Sequence, residues 1–230
     1  MGYNYDVPDP RSRMFVDLSL PLTESLGGFP GYPGFESRQL QSHDRDGKVA
    51  HAVELTTHTG THVDAPAHFL PDGATVDEVA VDVLVGRYRV ADLRTHASEA
   101  ITAEALTETL ADFEGGRVLL VTGDVDRHFD GDAFFERAAV LTADAAEWLV
   151  DRGATVVAND FLTESIAGPD RPVHSRLLGA GVPIVEYLCH TDAVADRRAV
   201  WLSCLPLSMP GLEAAPARVV ATDRSAEPDE

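Results

Sequence analysis

Lysine is almost missing from this chain. Lys48 is the single lysine among 18 basic residues, against 38 acidic ones, and the formal net charge is −20 over 230 residues. A surface so short of positive charge repels phosphate backbones and anionic lipid, which argues against nucleic-acid and membrane partners. Cysteine is scarce too: Cys189 and Cys204 both sit in apolar, strand-like runs and read as buried reduced thiols rather than a disulfide framework. No apolar run approaches the ~20 residues that cross a bilayer. The opening Met1–Pro8 has no basic or apolar signal region, so a cytoplasmic protein is expected. Also absent are a Gly-rich phosphate loop after a strand and a Gly-x-Ser-x-Gly elbow, which leaves nucleotide-dependent and serine-hydrolase chemistry without support.

What the chain does have is a dense cluster of potential ligands. Between Leu55 and Phe69 lie His58, His62, Asp64 and His68, set among threonines, Gly60 and Pro66. That composition disfavours a helix through β-branching, backbone entropy and a missing N–H. In an extended segment the even-numbered residues share a face, so His58, Gly60, His62 and Asp64 would project together. At a rise of about 3.3 Å per residue, a straight strand would hold His58 and His62 roughly 13 Å apart, too far for one ion. Either the chain bends at Gly60, or two ions about 3.5–4 Å apart share the ligands with Asp64 free to bridge them. Pro66 ends regular pairing and delivers His68 on the following turn.

The motif His-Thr-Gly-Thr-His-Val-Asp-Ala-Pro-Ala-His-Phe resembles the signature of the cyclase-type metal-dependent hydrolases, which include bacterial kynurenine formamidase and isatin hydrolase. Further similarity is found from about Phe15 to Thr222. Asp17-Leu-Ser and Phe29-Pro-Gly-Tyr-Pro33 are similar to the family's opening pattern, and they make Phe29 and Tyr32 candidates for apolar walls around a substrate ring. Pro172 suits the first position of a short helix and Gly179 its stop, with His174 in the first turn. Glu186 reads as sharing a strand face with Val182, Ile184 and Leu188, a costly place for a carboxylate unless it is paired or bound to metal. His174 followed by Val-Pro-Ile-Val-Glu186 resembles the family's second metal motif, and this resemblance raises both residues to expected ligands. Departures occur at Val121 and Asp124, which flank Thr-Gly where the family often has Arg and an aromatic. The stretch 160–165 reads as lacking the family's second acidic residue.

One domain over 1–230 is the simplest organisation, with a polar arm at 1–13 and an acidic tail at 223–230. Helices are expected behind Thr102 and Thr142 as N-caps, and Arg117–Thr122 and Ala154–Ala158 as buried strands. Asp124, Asp126, Asp130 and Asp132 read as a solvated loop. The mix of many strands and few helices suggests α+β with a mixed central sheet, and the resemblance implies the family's swivelling β/β/α fold in a homodimer or homotetramer. Ligands His58, His62, Asp64, His174 and Glu186 form a nitrogen/oxygen set suited to Zn²⁺, or to Mn²⁺, as one ion or two. A site with open positions lowers the pKa of bound water to about 7 and supplies hydroxide at neutral pH. His68 either completes the ligand shell or acts as acid/base, and the resemblance implies the second role or a mixture. The expected reaction is hydrolysis of a small amide, with N-formylkynurenine the first substrate to test and cyclic amides or lactones beside it. The alternative is a metal-dependent small-molecule-binding oligomer without catalysis.

So acidic a chain also predicts a halophilic source, because concentrated salt screens its self-repulsion. The protein should therefore lose thermal stability steadily as salt is diluted from the molar range. An unfolding temperature unchanged by dilution would remove that expectation.

Overall fold

Seven strands close on themselves in this computed structural model, which describes residues 15–222 except 27, 130, 131 and 168; the arm at 1–13 and the tail at 223–230 lie outside the described residues. In chain order the strands are β1 (Phe15–Asp17), β2 (Glu36–Gln41), β3 (Ala50–Glu54), β4 (His62–Asp64), β5 (Val85–Asp92) and β6 (Ala100–Ile101). They continue as β7 (Gly116–Val121), β8 (Val140–Leu141), β9 (Ala154–Asn159), β10 (Ile184–Glu186), β11 (Ala199–Pro206) and β12 (Ala214–Thr222). The helices are α1 (His43–Asp46), α2 (Val81–Leu84), α3 (Ala103–Thr109) and α4 (Asp124–His128). After them come α5 (Asp132–Arg137), α6 (Ala143–Asp151) and α7 (Pro172–Gly179).

The barrel order is β12-β11-β5-β7-β9-β10-β4, and β4 pairs back onto β12 to complete the ring. β5, β7, β9 and β10 run parallel, which requires crossovers. Helices α3, α6 and α7 lie in those crossovers and pack on the outer face. The remaining pairs, including β10 with β4, are antiparallel. The expected mixed central sheet is present, closed into a barrel, and the expected α+β class is corrected to mixed α/β. Short β4 has no local signal for its two partners, and closure follows from long-range pairing.

Strand parity separates two cores. Leu119 and Val121 of β7, Val156 and Ala158 of β9, Val185 of β10 and Val63 of β4 fill the barrel. Their neighbours Val118, Leu120, Val157 and Ile184 face outward, against Leu106 of α3, Leu149 of α6 and Leu177 of α7. Because Val63 points in, His62 and Asp64 on either side of it share the outward face with Ile184. Two helix starts follow the sequence reading: the Thr102 hydroxyl accepts from the Ala105 N–H at 3.3 Å, and Pro172 opens α7. Thr142 stands at the other start but donates its hydroxyl to the Ile101 carbonyl at 3.0 Å instead of capping α6. Among the described residues, no helix is long and apolar enough to cross a membrane.

Two expectations fail locally. Leu188 lies inside the barrel, not on the face of Ile184, because Tyr187 at φ 59° breaks the alternation after Glu186. Asp124 is buried rather than solvated, and its carboxylate accepts the backbone N–H of Ser98 at 2.9 Å and of Ala139 at 2.6 Å. These bonds join the loop after β7 to the segments around β6 and β8.

The turn Pro66–His68 rests directly on Gly73. A Cβ added at Gly73 would sit 2.5 Å from the Pro66 carbonyl carbon and 2.6 Å from the Ala67 nitrogen, both backbone atoms. Gly73→Ala should lower stability by about 1–3 kcal/mol, measured by denaturant unfolding. A variant as stable as the parent would show that this turn is free to shift.

Candidate metal centre

The chain does not run straight through the histidine motif. Residues 57–60 form a turn, Gly60 takes φ 65°, and only His62–Asp64 is strand. That φ lies in the left-handed region, which a residue with a Cβ enters only with strain, so glycine suits the bend. The bend brings the His58 and His62 rings to 5.0 Å between centroids, far less than a straight strand would allow. It also brings His68 beside His58, their tilted rings 4.3 Å apart between centroids.

Register supplies the carboxylate opposite. Glu186 pairs across from His62, and Ile184 from Asp64, so Glu186 projects on the same outer face as the β4 ligands. His174 descends from the first turn of α7. The two carboxylates then lie between two imidazoles. His62 Nε2 is 3.3 Å from Asp64 Oδ1 and 3.4 Å from Glu186 Oε2. His174 Nε2 faces the other two oxygens, 3.4 Å from Glu186 Oε1 and 3.8 Å from Asp64 Oδ2. His58 joins from the side, with Nδ1 at 2.9 Å from Asp64 Oδ1 and Nε2 at 3.3 Å from Glu213 Oε1.

Four of these atoms, His62 Nε2, both Asp64 oxygens and Glu186 Oε1, are buried without a hydrogen-bond partner. Leaving that many polar atoms unsatisfied costs several kcal/mol, and a metal ion bound among them would remove the cost. The donors are nitrogen and oxygen throughout, at spacings close to the ~3.4 Å expected between ligands that stand ~2.1 Å from one ion. At this site two groups of potential ligands have their donor atoms within 4.8 Å of one another: His62, Asp64 and Glu186, and His58, Asp64 and His68. They share Asp64. The residues therefore fit one ion, or two with Asp64 between them.

Outer contacts fix the ring orientations. His62 Nδ1 lies 2.8 Å from the Gly60 carbonyl, which holds the proton there and leaves Nε2 as the free lone pair. His174 Nδ1 lies 2.6 Å from Glu164 Oε2, and the same carboxylate accepts the N–H groups of Val173 and His174. Burial disfavours the charged form of His174, but the Glu164 and Glu186 carboxylates overcome it and raise the ring to about 10. If His174 served as a ligand, a bound cation would replace the ring proton. Asp64 is held well below the usual carboxylate range, its burial outweighed by His62 and His58. His68 differs: burial lowers it, and it stands as free base at neutral pH.

A cavity of about 220 Å³ opens onto these groups. Phe29 and Tyr32 both line it, as does Phe69, which stacks on His174 at 5.0 Å. Phe29 also packs edge-on against Phe135 at 5.4 Å, so it serves the core as well. The sequence reading missed Glu164, Tyr187 and Glu213. Glu164 was the most accessible of the three: it is the acidic residue in the stretch read as lacking one, ten positions before His174. Nothing local marks Glu213 or the left-handed Tyr187.

A family model described as "Putative cyclase" matches residues 16–163 of the chain. The chain belongs to the cyclase family. The kynurenine formamidase of Bacillus cereus is 31% identical over 213 residues, covering 91% of this chain and 98% of that protein. A solved structure described as a potential metal-dependent hydrolase with cyclase activity has 29% identity and a TM-score of 0.76, covering 92% of this chain and 98% of that one. Isatin hydrolase A from Ralstonia solanacearum, 24% identical with a TM-score of 0.79 over 90% of both chains, shares the fold. The family match includes His58, His62, Asp64 and His68 but stops before His174 and Glu186, which tertiary structure alone brings to them.

Glu164→Gln keeps the shape at His174 but weakens the acceptor that orients its ring. Metal affinity, measured by competition with a chelator, should fall by about 10–100-fold. Unchanged affinity would mean that Glu164 only caps α7.

Proposed function

We propose that this cyclase-family protein is a metal-dependent hydrolase of a small aryl formamide of the N-formylkynurenine type. The observation that carries the reading is the convergence of unpartnered buried atoms from β4 and β10 on one point at the floor of a cavity with aromatic walls. A structural zinc site is closed and usually rich in cysteine; this one opens to the cavity, and both cysteines lie elsewhere. The kynurenine formamidases among its relatives support the formamide, and the nitrogen/oxygen donors favour Zn²⁺ over Mn²⁺ only through their share of imidazole.

His58, His62, Asp64, His174 and Glu186 would hold the metal. A divalent cation bound there polarises a carbonyl and lowers the pKa of water. The protein supplies the rest. Phe29, Tyr32 and Phe69 hold an aromatic ring so that the formyl carbon faces the polar floor. His68, a free base against the cavity, takes a proton from the attacking water and returns it to the aryl nitrogen as the C–N bond breaks. The products are formate and an arylamine. The high negative charge supports a salt-adapted enzyme, and homodimers or homotetramers are the assemblies proposed for it.

The test is a panel of formanilides, cyclic amides of the isatin type and lactones, assayed in high salt with metal-loaded and chelated protein. Formanilide turnover should exceed the other classes and vanish on chelation. His68→Ala should lower kcat by about 10²–10⁴-fold with metal content kept, whereas His62→Ala should lose the metal. Metal retained without turnover across the panel would favour the non-catalytic binding reading, and loss of metal in His68→Ala would make His68 a ligand.

A further inference from the structure

We propose that a second cavity, lined by arginines at the opposite end of the barrel, binds a phosphate-type oxyanion. It measures about 330 Å³, and Arg87 and Arg89 of β5, Arg117 of β7 and Arg198 before β11 line it. Four of the chain's 18 basic residues gather here against two acidic ones, Asp112 and Glu114. The excess of positive charge is local, in a chain of net charge −20.

Three of the four guanidinium groups are held in place. Arg117 lies flat over Gly86, where a Cβ would come within 2.7 Å of Nη1, and it donates to the backbone carbonyls of Val83, at 2.7 Å, and Asp82. Arg89 donates to Asp112 Oδ1 at 2.7 Å and to the Arg198 carbonyl at 2.8 Å. Arg198 pairs with the other Asp112 oxygen. Among the described residues, Arg117 is thus bonded only to neutral carbonyls, and no carboxylate matches its charge. Arg87 has no acidic partner at all among the described residues.

Fixed guanidinium forks around an unneutralised charge suit a tetrahedral oxyanion, which accepts from several of them at once. The acidic remainder of the surface favours a small ion over an extended polyanion. The place is also separate from the metal centre. Arg87 and Arg117 stand near the amino ends of parallel strands β5 and β7, whereas Glu186 ends β10 and Glu164 follows β9 at the carboxyl ends. Binding here is independent of the hydrolase reading.

The experiment is thermal unfolding of the full chain at fixed ionic strength in potassium chloride, titrated with inorganic phosphate. The expected result is a saturable rise on the order of 2–4 °C, with the midpoint shifted to at least tenfold higher phosphate in Arg87→Gln. Arg87 is exposed and bonded to no described side chain, so this variant should fold. Asp112→Asn, which removes a competing carboxylate, should move the midpoint to lower phosphate. Citrate should give the smaller shift. No rise, a rise that never saturates, or the same titration in Arg87→Gln would overturn the proposal, and a larger shift with citrate would overturn the phosphate assignment.

Discussion

Strand β4 is only three residues long, yet it lies between β10 and β12 and closes the barrel. Its pairing with β10 does two things at once. Val63 enters the apolar interior, and the residues on either side are forced outward, where His62 meets Glu186 across the ladder. A slip of one residue would bury two polar side chains in the barrel and expose the valine. The same register that stabilises the closure therefore fixes the ligand geometry. Few structural changes near β4 can be neutral for the site.

The centre itself is an electrostatic problem solved by contact. Two carboxylates buried side by side repel each other and are costly to desolvate. Here each gives one oxygen to His62 and the other to His174, and a bound cation would supply the remaining charge. The rings cannot turn away, because Gly60 and Glu164 occupy their opposite nitrogens. Rigidity at the floor contrasts with the cavity wall, where Tyr32 is 55% exposed. The arginine cavity reverses these conditions: there the fixed groups are positive, and an anion is the natural complement.

Much of this was legible along the chain. Continuous apolar, β-branched runs marked β7 and β9, and Thr102 and Pro172 marked two helix starts, because these are local effects of side-chain size and backbone bonding. The alternatives left open at Gly60 depended on a single dihedral. A straight segment and a bent one have the same composition, and only the folded chain, with Gly60 at φ 65°, chooses between them. The departure at Leu188 has a similar origin, a left-handed residue at Tyr187 that no propensity requires. Asp124 was misplaced because a cluster of aspartates reads as solvated until the amides that receive one of them are known.

By itself, then, the sequence determined the candidate ligand types, their grouping between Leu55 and Phe69, the charge, and the apolar runs of the central strands. These depend on chemistry within a few residues. Tertiary structure decided the closure of the barrel, the seating of Glu186 opposite His62, the approach of Glu164 and Glu213, and the gathering of four arginines at one end. Each of these joins segments distant in the chain, and long-range pairing leaves no mark on the residues beside it.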